Sequence, residues 1–310
     1  MAEGLKLTHP WLVAVWPGMG NVAVSAGYYL LAKLEMNVIA EYEAADLFDV
    51  DAVEVKEGII QKGRCPRNRF FVWIDPKRRR DLVVFLGEAQ PPIGKYRFCR
   101  KLIEYAQELG VERVFTFAAM ATQMHPEHRS RIFAAATDSD NLAELKRLEL
   151  EPLEDGNIGG LNGVLLGAAA EAGLHGACLL GEMPHIFSQL PFPKASLAIL
   201  EVFTTITGIE LDFAELSEQA RVMEEQLGEL LSRVERAYGK QLPAEEEGEF
   251  NPEPVEEKKL SSADQTRIES LFGQAEKDRS KAFELKQELD RLGIFKDYED
   301  RFLDLFKKTT

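Results

Sequence analysis

Leu12-Val13-Ala14-Val15-Trp16-Pro17-Gly18-Met19-Gly20-Asn21-Val22-Ala23 reads as a strand, a tight turn and the start of a helix. Leu12 to Trp16 is wholly apolar, as a buried strand must be, and Pro17 with Gly18 stops it. From Asn21 to Leu34 the chain is apolar almost all round and lacks proline, which predicts a helix packed on a sheet. Asn37–Tyr42 is the next strand. Extended segments at Ala52–Glu57, Gly58–Gln61 and Phe70–Asp75 lie close together, with turn residues between, and predict a hairpin or meander. A regular alternation comes next: strand Asp81–Gly87, helix Lys95–Leu109, strand Arg113–Ala119, then helix Gly163–Ala172, strand Gly176–Gly181 and helix Lys194–Thr207. That rhythm predicts an α/β fold with a parallel sheet covered on both faces.

Beyond Phe213 the pattern changes. Phe213, Leu216, Ala220, Met223, Leu227, Leu230, Val234 and Ala237 alternate spacings of three and four, a heptad seam. Residues 241–260 are rich in Pro and Glu and read as an acidic flexible linker. Ile268, Leu271, Ala275, Ala282, Leu285, Leu289 and Leu292 resume the seam, with Asp278 as its one polar member, and Phe302, Leu305 and Phe306 form a last amphipathic turn. The expected organisation is an α/β domain over 1–240, the linker, and a helical C-terminal extension over 261–310. The stripes of the extension either dock on their own domain or meet other chains. Because the linker has little to bury, the α/β domain is expected to fold without the linker and the extension.

Charge and composition narrow the function. The chain of 310 residues carries a net −15, and from Glu210 onward 26 acidic residues face 16 basic ones. An acidic surface repels phosphate backbones, so nucleic acid is not an expected partner. Lys77-Arg78-Arg79-Arg80 reads as a solvated turn. No apolar run is long enough to span a membrane. Cys65, Cys99 and Cys178 are far apart, which suits a reducing compartment and a cytoplasmic protein.

Several constellations bear on chemistry. Gly18-Met19-Gly20-Asn21-Val22-Ala23 fits the loose dinucleotide fingerprint, with Glu41 where a ribose-binding acid would sit. The extended segments after Asn37–Tyr42 break the βαβαβ run that a dinucleotide fold needs. The turn therefore reads as a packing turn, with a small anion at Gly18, Gly20 and Asn21 as the alternative. Gly156-Asn157-Ile158-Gly159-Gly160-Leu161-Asn162-Gly163, a second glycine-rich helix start, reads as a close-packed loop that lets the helix approach the sheet, with an anion at Gly160 and Asn162 as the alternative. Glu88 and Glu182 each follow a Leu-Gly pair at the carboxyl end of a strand. Together in one crevice they could do acid–base work; otherwise each fixes its own loop. No Walker loop or Gly-x-Ser-x-Gly elbow occurs, and Pro126 separates His125 from His128. Neither a cofactor nor a metal is expected.

Four segments, in this order, resemble the signatures of the proteasome assembly chaperone 2 family: Pro17-Gly18-Met19-Gly20-Asn21-Val22-Ala23, Gly87-Glu88-Ala89-Gln90-Pro91, Gly159–Gly167 and Leu180-Gly181-Glu182-Met183-Pro184. The resemblance spans roughly Trp11 to Tyr238. It implies a three-layer α/β/α sandwich similar to purine nucleoside phosphorylases and related hydrolase-like folds. It also implies a homo-oligomer (a trimer by analogy) and a non-catalytic, protein-binding or assembly-chaperone role towards proteasome-like subunits. Some relatives carry an ATP-grasp or carboxylate–amine ligase label, so the alternative is a small-ligand binder or enzyme using the glycine turns with Glu88 and Glu182. Relatives that end in a hydrophobic–tyrosine–x motif differ from this chain, whose Phe306-Lys307-Lys308-Thr309-Thr310 departs from it.

Overall fold

The computed structural model describes residues 6–239 and 260–307 apart from 49–52, 54, 57, 62 and 149, and side chains of the helix ending at Gly239 only as far as Arg233. Its ten strands are β1 Trp11–Val15, β2 Asn37–Glu41, β3 Val55–Lys56, β4 Ile59–Ile60, β5 Asn68–Trp73, β6 Leu82–Gly87, β7 Arg113–Thr122, β8 Ile132–Ala136, β9 Glu151–Pro152 and β10 His175–Pro184. The helices are α1 Val22–Lys33, α2 Lys95–Glu108, α3 Ser139–Arg147, α4 Gly160–Glu171, α5 Pro193–Thr207, α6 Ala214–Gly239, α7 Ser262–Lys277, α8 Ala282–Arg291 and α9 Phe295–Asp304.

Eight strands form one sheet in the order β2-β5-β6-β1-β7-β10-β8-β9. Its centre, β6-β1-β7-β10, is parallel, while β5 and β8 run antiparallel to their inner neighbours. Alternation along β1 sends Trp11, Val13 and Val15 to one face and Leu12, Ala14 and Trp16 to the other. The first face packs on α1 and α5, the second on α2 and α4. This is the expected three-layer α/β/α sandwich. The extended segments near residue 55 divide: β3 and β4 pair with each other as a small hairpin, while β5 enters the main sheet between β2 and β6. The basic turn after β5 is held by Asp75, whose carboxylate accepts from the backbone N–H of Lys77 and Arg79.

The extension is part of the core. Ten of the twelve residues of α1 are buried, because one side of that helix meets the sheet and the other meets the extension. Phe283 packs edge-on to Tyr29 at 4.6 Å between ring centroids, and Phe295 and Phe302 do the same to Tyr28 at 5.1 and 5.7 Å. At the sheet's outer edge the Val38 N–H donates to the Phe306 carbonyl at 2.8 Å, and the Phe306 ring meets Phe71. An expectation that the α/β domain folds alone overlooks this burial. The second seam is also not one long helix. Asp278 ends α7 and caps the turn into α8, accepting from Ser280 N–H at 3.0 Å, so the apolar stripe folds back as an α7/α8 pair. In the first seam Leu216, Ala220 and Leu227 are buried and Leu230 is exposed. The side chains of Val234 and Ala237, and the linker up to residue 259, lie outside the described residues.

Candidate functional site at the carboxyl end of the sheet

The first two signatures lie in the turns that end β1 and β6, the fourth is the carboxyl end of β10 itself, and the third opens α4 beside them. Open α/β sheets hold ligands at this end. A cleft of about 1040 Å³ opens there, walled by Pro17 and Asn21 of the first turn, Glu88, Val222 and Met223 of α6, and Lys286 and Phe295 of the extension. Of the predicted site residues, Asn21 and Glu88 meet in it. Gly18, Gly20, Gly160, Asn162 and Glu182 lie outside its lining.

The signatures hold one another. Gly20 adopts φ +60°, and a Cβ there would stand 2.9 Å from the Met183 side chain. Its N–H donates to the Ser188 carbonyl and its own carbonyl accepts from Phe192 N–H, both at 2.9 Å. The first turn is thus clamped to the loop after β10. Gly87 leaves room for Trp16, which a Cβ would meet at 2.5 Å. Gln90 joins three of the signatures: its Oε1 accepts from Leu161 N–H at 3.1 Å, and its Nε2 donates to the Pro17 carbonyl at 3.4 Å. The amide of this chain's own Gln90 therefore occupies the start of α4, where an anion would sit. Asn162 Oδ1 is buried nearby without a hydrogen-bond partner. Asn21, also left-handed at φ +50°, begins α1 without a side-chain capping bond.

Glu88 and Glu182 do not share a crevice. β6 and β10 are three strand spacings apart, about 14 Å. Each carboxylate is buried against arginine. Glu88 accepts from Arg64 Nη1 at 2.9 Å, Arg67 N–H at 2.9 Å and Arg69 Nη1 at 3.1 Å. Arg67 and Arg69 then reach Asp300 of α9 at 2.9 and 2.6 Å, and Arg67 also binds Glu41. Glu182 accepts from Arg131 Nε and Nη2 at 2.8 and 2.7 Å and from Thr122 Oγ1 at 2.8 Å. The Arg131 bonds outweigh burial and hold the Glu182 carboxyl below the usual carboxylate range, so it stays ionised and is a poor proton donor. The acid–base pairing considered from sequence has no geometry behind it. Arg64, Arg67, Arg69 and Arg131 were not legible as partners, although the alternating Arg67 and Arg69 place two cations on one side of the incoming strand.

Among the described residues the remaining titratable groups form no second centre. The rings of His125 and His128 lie 5.6 Å apart, and no group of three His, Cys, Asp or Glu among the described residues is placed to hold a metal. No helix among the described residues is long and apolar enough to cross a membrane.

Comparison with known proteins matches this architecture. The chain is 28% identical over 222 residues to an uncharacterized protein of Methanocaldococcus jannaschii, covering 71% of this chain and 82% of that one. Its fold is similar to that of PbaB, an archaeal proteasome activator of Pyrococcus furiosus, with a TM-score of 0.63 and 28% identity over 76% of this chain and 96% of that one. It is equally similar to a PAC2 family protein of Streptomyces avermitilis, with a TM-score of 0.63 and 28% identity over 75% and 100% of the two chains. The PAC2 family model matches residues 12–231, from β1 through most of α6 and short of the extension. The chain belongs to the PAC2 family.

Proposed function

We propose that the chain is a non-catalytic, protein-binding member of this family that assists the assembly or action of a proteasome-like ring. The observation that carries the reading is that the polar groups singled out at the carboxyl end of the sheet are engaged by the chain's own bonds: Gln90 at the start of α4, Arg64 and Arg69 on Glu88, Arg131 on Glu182. Likeness to a proteasome activator supports the choice of partner. Self-association belongs to the same reading, because linked copies of a binder engage a ring of repeated subunits more tightly than one copy does. A cytoplasmic location fits Cys65, Cys99 and Cys178, all free, with burial pushing the Cys99 and Cys178 thiols up to about 12. The test mixes the full chain with recombinant proteasome α-subunits and monitors co-elution and ring formation. Co-elution or faster ring formation is expected; neither, under conditions that preserve weak complexes, sinks the proposal.

The second reading, a small-ligand binder, draws on the cleft beside Asn21. A thermal-shift screen of nucleotides, nucleosides and phosphates addresses it, since a ligand at a hundredfold excess over its Kd stabilises by about 2.7 kcal/mol. A flat screen removes that reading.

A further inference from the structure

The cleft of about 1040 Å³ is a groove between helices: Ser25 and Tyr28 of α1 line it, with α6 and, beyond the residues matched by the family model, α8 and α9 of the extension. Its charged side chains are already paired within the chain. Lys286 binds Asp290 at 2.6 Å, Lys296 binds Glu299 at 2.7 Å, and Glu299 also accepts from the Tyr28 hydroxyl at 2.6 Å. Glu88 holds its arginines, Glu218 pairs with Arg221 at 2.7 Å and Arg291 with Glu288 at 2.8 Å. The amides are different. Gln219 and Gln226 of α6 and Gln287 of α8 line the cleft, and among the described residues their side chains have no hydrogen-bond partner. Gln219, Val222, Met223 and Gln226 are spaced by three and four, so they share one face of α6. That stripe is about 10 Å long, the reach of about three residues of extended chain. An amide side chain offers both a donor and an acceptor, the complement of a peptide group. Apolar surface continues at the mouth, where Pro17, Pro191 and Pro193 line the cleft. Beside them Met19 and Leu190 are 45% and 40% exposed, and they are held together by the bonds of Gly20 to Ser188 and Phe192.

The geometry points to an extended, uncharged, apolar-rich peptide segment of a protein partner as the occupant of this groove. Gln219, Gln226 and Gln287 hold its backbone, and Val222, Met223 and the proline-lined mouth take its side chains. Charge selects the same occupant. A charged side chain entering the groove would lose its water and meet only charges that already have partners, whereas a neutral segment pays no such penalty. Small polar ligands are fixed by a few convergent groups, but these amides are strung along the groove. The inference rests on the protein-binding reading above and adds where the partner is gripped and by which kind of segment.

Fluorescence anisotropy tests it, with the full chain titrated into short labelled peptides that tile a recombinant proteasome α-subunit. At least one peptide is expected to bind with a Kd below about 100 µM. Gln219→Met combined with Gln287→Met keeps the side-chain volume, removes two amides and is expected to raise that Kd at least about tenfold. Val222→Glu, at a residue 39% exposed, is expected to do the same by placing a charge in the groove. Thermal unfolding of the variants is expected to match that of the wild-type chain, because the two amides hold no other part of it. A peptide that binds the variants as tightly as the wild type overturns the site and leaves the protein-binding reading standing. Co-elution of the intact α-subunit with no peptide bound does the same, and assigns the contact to a folded surface. Binding of neither peptide nor subunit overturns both. A nucleoside or phosphate that stabilises the wild-type chain but not these variants overturns the peptide in favour of a small ligand.

Discussion

The ends of β6 and β10 are spelled alike, Leu86-Gly87-Glu88 and Leu180-Gly181-Glu182, yet they are built into different neighbourhoods. Glu88 sits against Arg69, whose side chain is only 1% exposed, and through the arginines it reaches Asp300 in the C-terminal extension. Glu182 sits against Arg131, whose side chain is 54% exposed and which otherwise pairs with Glu151 on the neighbouring short strand. One glutamate ties together segments more than 200 residues apart; the other closes a local loop. The lesson is that the burial of the partner, not the motif, sets what the motif is worth. A cation that water can still reach loses little when its carboxylate is removed. A cation sealed inside loses a great deal.

The largest effect expected from this difference is on the extension itself. A chain ending at residue 239 uncovers Tyr28, Tyr29 and Phe71, against which Phe302, Phe283 and Phe306 now pack. Each lost core aromatic costs about 3–5 kcal/mol, so the sum rivals the 5–15 kcal/mol that a typical domain has in total. The truncated chain is expected to be insoluble or to lose its near-UV circular dichroism. A cooperative melt close to that of the full chain would break the comparison, because Glu88 would then be as local as Glu182. Next in size, Glu88→Gln is expected to cost about 3 kcal/mol in urea unfolding. Glu182→Gln is expected to cost about 1 kcal/mol. Equal losses would mean that partner burial is not the deciding variable. Smaller still is coupling. Glu88→Gln and Asp300→Asn share Arg69 and are expected to be non-additive by about 1 kcal/mol, while Glu182→Gln and Asp300→Asn add.

The strand–turn–helix opening was legible because apolar runs bounded by Pro17, Gly18 and Gly20 leave few alternatives, and β1, α1, β6, α2 and β7 emerge from the same periodicity. β8, α3 and β9 were not found, although Asp138 ahead of Ser139-Asp140-Asn141 is a capping signal. Its side chain accepts from the N–H of Asp140 and Asn141. The helix stripes of the extension could be read, but their destination could not: a 3.6-residue period marks an apolar face without saying what covers it. Asp278 falls on a heptad position, and spacing alone does not separate a polar seam residue from a helix cap. At the candidate site Glu88, Glu182 and the glycines could be singled out. Their arginine partners come from β5 and the segment before it and from the loop before β8, and pairing at such sequence separation leaves no local signal. The role of Gln90 was hidden for the same reason. It lies inside a signature, yet its two partners belong to two others.

The comparison also predicts how acid acts on the fold. Arg131 holds Glu182 below its usual range. Burial opposes ionisation of Asp300, but Arg69 and Arg64 outweigh it, and that carboxyl too is held low. A carboxyl whose folded pKa is depressed contributes stability that is fully present above its unfolded value, about 3.9 for Asp and 4.3 for Glu, and is lost as pH falls through the folded value. Stability is therefore expected to be flat with respect to these two groups from pH 7 to about 5 and to fall below about 4. Glu182→Gln removes one titrating group from that fall, so its urea midpoint is expected to approach that of the wild-type chain as the pH drops. Asp300→Asn is expected to converge in the same way. The two curves separate the regions in salt. Arg131 is 54% exposed and open to screening, whereas Arg69, which holds Asp300, is 1% exposed. Added salt should shrink the acid-side difference for Glu182→Gln more than that for Asp300→Asn; the reverse order would show that the two clamps had been ranked the wrong way round.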